Sequence, residues 1–494
     1  MQLQLFDAFG LGAGGSGAAA GLLHPYTPRG KVSLLPYQSV TSYALYAVHF
    51  VQLQCASEVL MRHWRHPPAG MQMLWRGMKG FHEALALLEA AEAAAAGPSA
   101  AAAAGIRGPL AWRHGMLRPA RSARQARDIS RFLPADPAAA AATRAEAVTD
   151  AAALTALVPG LEPAMLLPPT QLLAEQLKQE MAATGSGEGG ARKRRQDQQQ
   201  QQPAGGEPAL GLMVHAAVTI HPASYMAALW LACQQLANQA GGGSAARLVQ
   251  RPVSSLRQLH AAEGPFDAVV VAAGAAVESI AELAGQLPLD LCQGYSLDMQ
   301  PPANSSTDEI SSSRHGSGNA TGSCGGGYPA GAPSLLGSPY IAAHGSRSLV
   351  VGATRRYALT PAQAYEQCSR PVVQDAAEAE AAAAALLPGA EALWPPAADW
   401  QVAAVRAGVR ALPTRGADGS IPYAGRLSPV DTSRSKGPDG QQQAPALPSC
   451  WVIGGLGARG LVYHAWLGRL VAQAVLADSE AGLPPELLRW RQPQ

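Results

Sequence analysis

The chain has 494 residues, with 52 Gly, 39 Pro, 48% hydrophobic residues, only 15% charged residues and a net charge of +2. Soluble domains usually carry about 25% charge, so the low value argues against a coiled coil, and glycine lacks the strict period of three that a collagen needs. Near-neutral charge offers no global electrostatic case for nucleic acid or an anionic membrane, and the apolar content is too high for a fully disordered chain.

Leu3–Asp7 reads as a short strand ending in an acid. Val40–Trp64 has apolar residues three and four apart, the pattern of a helix. Leu212–Ile220 is a candidate strand, followed by a helix over Ala223–Asn238 with Pro222 just ahead of it. Leu248–Val253 is a strand interrupted near Pro252, and Phe266–Ala273 is a β-branched buried strand closed by Gly274, with a helix-like stretch after it. Ser348–Thr354 and Trp451–Gly454 are further strands, and Leu461–Leu476 is a strongly apolar helix. Strands alternating with helices predict an α/β fold with a sheet largely parallel at its centre.

Four stretches read as spacers: the Ala-rich 89–105, then 183–208, 300–334 and 415–449. The run Arg192-Lys193-Arg194-Arg195 within the second is read as solvated loop charge, and the Gln tract after it as spacer. The six cysteines (55, 233, 292, 324, 368 and 450) contain no C-x-x-C pair, so neither a metal site nor a disulfide framework is signalled. No apolar run reaches the roughly 18 residues of a membrane span.

Gly10-Leu-Gly12-Ala-Gly14-Gly15 matches G-x-G-x-x-G literally, but a dinucleotide fingerprint precedes a long helix and an acid about 20 residues on. Here Ser16-Gly-Ala-Ala-Ala-Gly21 and then Pro25 and Pro28 follow, and the next acid is Glu58. A better reading makes Leu3–Asp7 the second strand of a Rossmann unit, with Asp7 taking ribose hydroxyls. The fingerprint itself is then expected upstream of Met1, and loop 10–21 approaches a pyrophosphate through backbone N–H groups.

Seven stretches, in register, resemble the D-amino-acid oxidase superfamily of FAD-dependent oxidoreductases. They are LLHPYTPRGK (Leu22–Lys31), HPASYMAAL (His221–Leu229), FDAVVVAAGA (Phe266–Ala275), LPLDLCQGYSL (Leu287–Leu297), VVGATRRY (Val350–Tyr357), Val405–Gly425 and WVIGGLGARGLVYHAWLG (Trp451–Gly468). The last is most similar to a plant and algal branch near the oxidase domain of the tRNA wobble-uridine modification enzyme.

The resemblance implies a Rossmann-type FAD-binding domain built from discontinuous segments and a smaller substrate domain with a mixed or antiparallel sheet. The expected parts are FAD-binding segments at 1–88, 209–286 and 410–494. Residues 106–182 form a helical and substrate segment, and 287–299 and 335–409 complete the substrate domain. FAD is the expected cofactor. Ser16 and Gly17 are expected at the pyrophosphate, Gly21, Leu22 and Leu23 along the isoalloxazine, and Val253 and Gly274 at the cofactor or in plain structural roles. Gly454, Gly455, Gly457 and Gly460 frame a loop whose helix N-terminus stabilises the reduced flavin, with Arg459 adding charge or pairing at the surface. Arg410, or Arg406 in exchange, is expected to hold a substrate carboxylate, with a structural ion pair as the other reading. His24 is either a substrate contact or a core histidine.

No separate catalytic acid–base residue is required. The implied activity is oxidation of a C–N bond in an amino acid or secondary amine, with oxygen as acceptor. Two rivals stay open: demethylenation of a modified uridine in tRNA, the one case involving nucleic acid, and a non-catalytic fragment that binds no flavin. No membrane partner is expected. The default location is cytoplasmic, or chloroplast or another organelle if a transit peptide precedes Met1.

Overall fold

A computed structural model describes residues 2–26, 76–161, 209–302, 326–414, 420–427 and 447–491. The helix expected over 40–64 and most of the spacers 183–208, 300–334 and 415–449 lie outside the described residues.

The chain opens with β1 (Gln2–Asp7), a 3-10 turn at Gly14–Ser16 and the short β2 (Leu22–Leu23). Next come α1 (Gly77–Ala94), α2 (Pro98–Ala103), β3 (Ala111–Trp112) and β4 (Met116–Pro119). Then follow α3 (Ala123–Ala135), α4 (Pro137–Thr143), β5 (Ala145–Val148) and α5 (Ala151–Leu157). Ser122, Asp136 and Asp150 start these three helices, each accepting a first-turn backbone N–H.

The next segment holds β6 (Gly211–Val214), β7 (Val218–Ile220), α6 (Pro222–Gln239), β8 (Ala245–Gln250), α7 (Leu256–Glu263), β9 (Ala268–Val271) and β10 (Leu289–Gln300). It is followed by β11 (Ser334–Leu335), β12 (Tyr340–Ala343), β13 (Leu349–Gly352), β14 (Arg356–Tyr357), α8 (Pro361–Ser369) and α9 (Ala376–Leu393). The described chain ends with β15 (Gln401–Pro413), β16 (Tyr423–Arg426), β17 (Ser449–Gly454), α10 (Gly460–Leu476) and a 3-10 segment at Pro485–Arg491.

The strand expected over 212–220 divides, because Ala217 N–H turns back to the Val214 carbonyl and β7 joins a different sheet from β6. The strand expected over 248–253 stops at Gln250, two residues before Pro252, which has no N–H to donate. The parallel sheet expected as one is two units among the described residues. β1 pairs parallel with β8, while β9 pairs parallel with β17, which carries β16 antiparallel on its other side.

The largest sheet has nine strands and runs β14-β10-β13-β12-β11-β4-β6-β5, with β15 also on β10. It is antiparallel except at β4–β11, which makes it mixed. One face, through Leu297, Leu335, Ile341 and Val351, packs on Leu386, Ala390 and Leu393 of α9 and on Trp394. Alternation along each strand sends the intervening residues to the opposite face. There Tyr340, Ala342 and Val350 meet Ala20 and Leu22, while Met116, Leu212, Val214 and Leu336 meet Tyr26 and Phe132.

The Ala-rich stretch 89–105 is helical rather than spacer. Alanine is the best helix former and the smallest side chain that still excludes water, so composition alone misreads it. Phe81, Ala84, Leu88 and Ala91 of α1 pack against Val462, Tyr463 and Trp466 of α10. The helices approach closely at Gly80, where a Cβ would stand 2.2 Å from the Val462 carbonyl oxygen. Arg469 grips Glu83 with two hydrogen bonds of 2.7 and 2.9 Å. Gln235 of α6 donates to the Ala94 carbonyl at 3.0 Å.

Ala91 is fully buried and Ala93 is exposed. Ala91→Asp is therefore expected to cost about 3 kcal/mol, as an unpaired polar group is taken from water, and Ala93→Asp at most about 0.7 kcal/mol. Urea unfolding of both variants checks this; equal midpoints would return 89–105 to a spacer.

Candidate functional site

Asp7 closes β1. Its Oδ1 accepts the N–H groups of Phe9 and Gly10, both at 2.9 Å, which bends the chain out of the strand and into loop 10–21. Its Oδ2 takes no partner among the described residues, as a ribose-binding acid requires. Gly10, Gly12, Gly14 and Gly21 have left-handed φ of +95°, +88°, +68° and +77°, which glycine alone adopts without strain.

The glycines of this loop are expected to let backbone N–H groups approach a pyrophosphate, and Gly21 to lie along the isoalloxazine. In the structure three of them are committed to protein carbonyls. A Cβ at Gly15 would lie 2.5 Å from the Val409 oxygen, at Gly17 1.9 Å from the Gly12 oxygen, and at Gly21 1.7 Å from the Ile220 oxygen. Ser16 accepts the Ala19 N–H on its carbonyl, and Ser296 Oγ donates to the Ala18 carbonyl at 3.1 Å. The loop thus crosses β15 at Gly408, where a Cβ would stand 2.8 Å from that of Ala18.

Arg406 and Arg410 lie on the same face of β15, one on each side of this crossing. Arg406 Nε is 2.5 Å from Asp298 Oδ2, so Arg406 is the member of the pair engaged in a structural ion pair. Arg410 has neither an ion pair nor a hydrogen bond among the described residues. Its guanidinium occupies the space left by Gly294, where a Cβ would be 2.8 and 2.9 Å from Nη2 and Nη1. Gly352 makes the same allowance for Tyr340, whose hydroxyl oxygen would be 2.7 Å from a Cβ there. Burial pushes the Tyr340 phenol pKa up and the charge of Arg410 pulls it back down, so the two groups share one environment. Tyr340 was not anticipated from sequence. The available signal was a Pro-Tyr pair opening an apolar strand twelve residues before the glycine of VVGAT.

A cavity of about 330 Å³ opens beside Arg406, walled by Gly17, Ala18, His221, Asp298, His344 and Ser348 among others. His344 stacks on Trp112, with centroids 4.8 Å apart and planes within 5°, and donates from Nε2 to the Ala20 carbonyl at 3.2 Å. His221 Nδ1 accepts the Ser224 N–H at 3.2 Å and caps α6, which leaves the ring proton on Nε2. Burial lowers the pKa of both histidines, that of His344 to about 4, so both rings are neutral at pH 7.

The remaining expected positions divide between those with open space beside them and those packed within the protein. Gly274 has φ +56° and nothing within 4 Å of a Cβ, so open space lies over it at the end of β9. Val253 packs beside Leu256 and Val271 in the core behind β9 and fits the structural reading. Gly455 and Gly457 turn with φ +67° and +56° over Pro413 and Leu412. Gly460 starts α10 facing open space, and that helix has no side-chain cap and no acid in its first turn, leaving its N–H groups and dipole for an anionic partner. Arg459 donates from Nη1 to the Ser420 carbonyl at 3.4 Å. Leu22 and Leu23 pair with β7; Leu23 is fully buried and Leu22 lies on the inner face of the large sheet. His24 follows them, with Nδ1 shut off from solvent and without a hydrogen-bond partner. The free oxygen of Asp7 and the uncapped α10 N-terminus thus suit a dinucleotide cofactor chemically, the one as an acceptor for hydroxyl groups and the other as a donor set for an anionic group.

Among the described residues, no group of three or more His, Cys, Asp or Glu side chains is placed to hold a metal, and no helix is long and apolar enough to cross a membrane.

No curated protein matches the chain in sequence. Glycine oxidase from Geobacillus kaustophilus has a similar fold, with a TM-score of 0.55 at 14% identity over 99% of this chain and 91% of its own. Iminodiacetate oxidase from Chelativorans sp. BNC1 gives 0.54 at 16% identity over 98% and 92%. The family model for DAO, FAD dependent oxidoreductase, matches residues 76–474, which include β10, β15 and the α10 N-terminus. The chain accordingly belongs to the DAO family of FAD-dependent oxidoreductases, an enzyme family whose cofactor is FAD.

Proposed function

We propose that this oxidoreductase oxidises the C–N bond of an amino acid or a carboxylate-bearing secondary amine. The observation that supports it is Arg410: a part-buried guanidinium with no counter-ion among the described residues, seated over Gly294 beside the Tyr340 hydroxyl. A guanidinium fork matches the two oxygens of a carboxylate, and a phenol adds a third donor at the same place. The two similar structures are named for glycine and iminodiacetate, and both names denote amines bearing a carboxylate.

FAD, when bound, supplies the two-electron acceptor and passes the electrons on to oxygen. The protein's own task is to bind and orient. Arg410 and Tyr340 fix the carboxylate, so that the carbon bearing nitrogen is held at one distance and angle, and such positioning is a large part of catalysis. Loop 17–20 and the apolar pair Ala342 and Val350 shield that space from water. His221 and His344 stay neutral and add no positive charge beside an amine that reacts in its unprotonated form.

The test is flavin bleaching without oxygen, using purified protein supplied with FAD and a panel of glycine, sarcosine, D-amino acids, iminodiacetate and modified nucleosides. Reduction by carboxylate amines alone is the expected result. Failure to take up FAD, or reduction only by nucleosides, would overturn the proposal. Arg410→Ala is expected to raise KM for carboxylate substrates about 10- to 100-fold at unchanged flavin content, since a charged bidentate contact is lost. Gly294→Ala, which pushes a methyl group against the same guanidinium, is expected to move KM in the same direction by a smaller factor. Unchanged KM in Arg410→Ala removes Arg410 from the site.

A further inference from the structure

We propose that the outer face of α3 is a contact surface for the phosphate backbone of a nucleic-acid duplex. The surface is independent of the oxidase proposal. α3 packs on β5 and β6 at one end of the large sheet, and Arg410 stands on β15 near the other.

The net charge of +2 conceals a segregation. Between 107 and 131 the chain carries seven arginines, no lysine and one acid, Asp128, so the remainder of the chain is net negative. A basic stretch along one helix is the electrostatic footprint of a polyanion partner, and whole-chain charge hides it.

The fold sorts these arginines. Arg113 pairs with Glu92 at 2.6 Å, and Arg118 lies part-buried on β4. Arg124, Arg127 and Arg131 are exposed, with Arg121 part-exposed just ahead of the helix. Spacings of three and four put the exposed three on one side of α3. The other side, Ala126, Ile129 and Phe132, is buried in the core over the sheet. None of the four guanidinium groups has an ion pair or a hydrogen bond among the described residues. Arg251, Arg370, Arg426, Arg469 and Arg491, by contrast, each meet an Asp or Glu. Asp128, four residues after Arg124, pairs with none of the four.

The helix that presents them is held firmly. Ser122 Oγ accepts the Gln125 N–H at 3.2 Å, and Gln125 Oε1 accepts the Arg121 N–H at 2.8 Å. Ser130 Oγ accepts the Ala209 N–H at 3.1 Å, which ties α3 to the start of β6. The charges nevertheless work against the helix. Like charges three and four residues apart repel, and Arg124 sits in a first turn that holds no acid, at the positive end of the dipole. An anion laid along this side relieves both.

The chemistry of the face selects among polyanions. A basic helix binds a lipid surface by burying its apolar side in it, and here that side is in the core. An acidic protein partner is anchored by apolar or aromatic groups, and no large apolar side chain between 107 and 157 is exposed. A single strand binds by stacking on aromatics, and α3 exposes none. What the face does offer is a row of guanidinium forks, which match phosphate oxygens. From Arg124 to Arg131 the helix advances about 10 Å, the length of two or three phosphates at about 3.4 Å per nucleotide along one strand of a duplex.

The test is fluorescence anisotropy of a labelled DNA duplex of about 20 base pairs, with the full chain supplied with FAD and salt varied from about 50 to 200 mM. Micromolar binding with a log–log salt slope of about −3 is the expected result. The combined variant Arg124→Gln, Arg127→Gln and Arg131→Gln is expected to bind at least about 10-fold more weakly, with a slope near about −1. Lysine at the same three positions keeps the slope, because counterion release follows charge. Asp128→Asn tightens binding. Glutamine at Arg192, Lys193, Arg194 and Arg195 removes more charge and leaves the slope unchanged. All variants keep the Tm of the parent, since exposed side chains are replaced.

Absence of binding at the lowest salt would overturn the proposal, as would equal slopes in the parent and the α3 glutamine variant. An equal loss in the 192–195 variant would do the same, because unplaced charge would then suffice. Tighter binding to phosphatidylserine vesicles or polyglutamate than to the duplex would assign the face to a lipid surface or an acidic protein instead. A flavin that no amine reduces ends the oxidase proposal and leaves the duplex measurement as it stands.

Discussion

The candidate site depends on the register of one ladder, the antiparallel pairing of β10 with β15. It runs from Leu289 opposite Pro413 to Gln300 opposite Gln401, with a single irregularity between Asp298 and Met299. That register sets Arg410 opposite Cys292, Gly408 opposite Gly294, and Arg406 opposite Ser296. Glycine facing glycine opens a lane between the two arginines; the loop at Ala18 crosses on one side of it, and the Arg410 guanidinium fills the other. A slip of one residue would send all of these groups to the face packed by α9, burying two charges against Leu386 and Leu393. The apolar residues that alternate with them, Leu297 and Val405 in the α9 core and Val409 and Leu291 near α8, hold the register against such a slip.

The cofactor end depends on different chemistry. Strands in parallel pairs end at one edge, and their C-terminal ends carry the turns that meet a dinucleotide. Asp7 ends β1 and Gly274 follows β9, while the turn after β17 leads into α10 without a capping side chain. The close packing of α1 on α10 at Gly80 steadies the helix whose uncapped N-terminus follows β17. The alanines of α1 thus contribute to the site at a distance, by fixing the axis of α10.

Much of the fold was legible in the sequence. The β-branched runs at 266–273 and 348–354, and Trp451–Gly454, are strands, and the helices after Pro222 and at 461–476 stand within a residue or two of their expected bounds. What could not be read shares one cause: the deciding partner is distant in sequence. Arg406 and Arg410 are equivalent in the motif V-R-A-G-V-R, and only Asp298, 108 residues away, separates their roles. Tyr340 acquires its meaning from Gly352 and Arg410. The glycines of loop 10–21 were visible as glycines, but whether each yields to a ligand or to a carbonyl depends on Val409 and Ile220. Ala91 looks like filler until Trp466 and Tyr463 are set beside it.

The inner face of the large sheet carries three arginines with different fates, and the difference is informative. Arg406 is balanced by Asp298 inside the protein, so its desolvation is offset in the folded chain whether or not a ligand is present. Arg410 has no such partner among the described residues. Arg118 lies on the same face by register, but it is only part-buried, and of its guanidinium nitrogens only Nε is closed to solvent without a partner. Exposure and pairing thus separate the three. One cation is balanced inside the protein, one keeps access to water, and one stands part-buried over Gly294 beside Tyr340, where the proposed substrate carboxylate would supply its counter-charge.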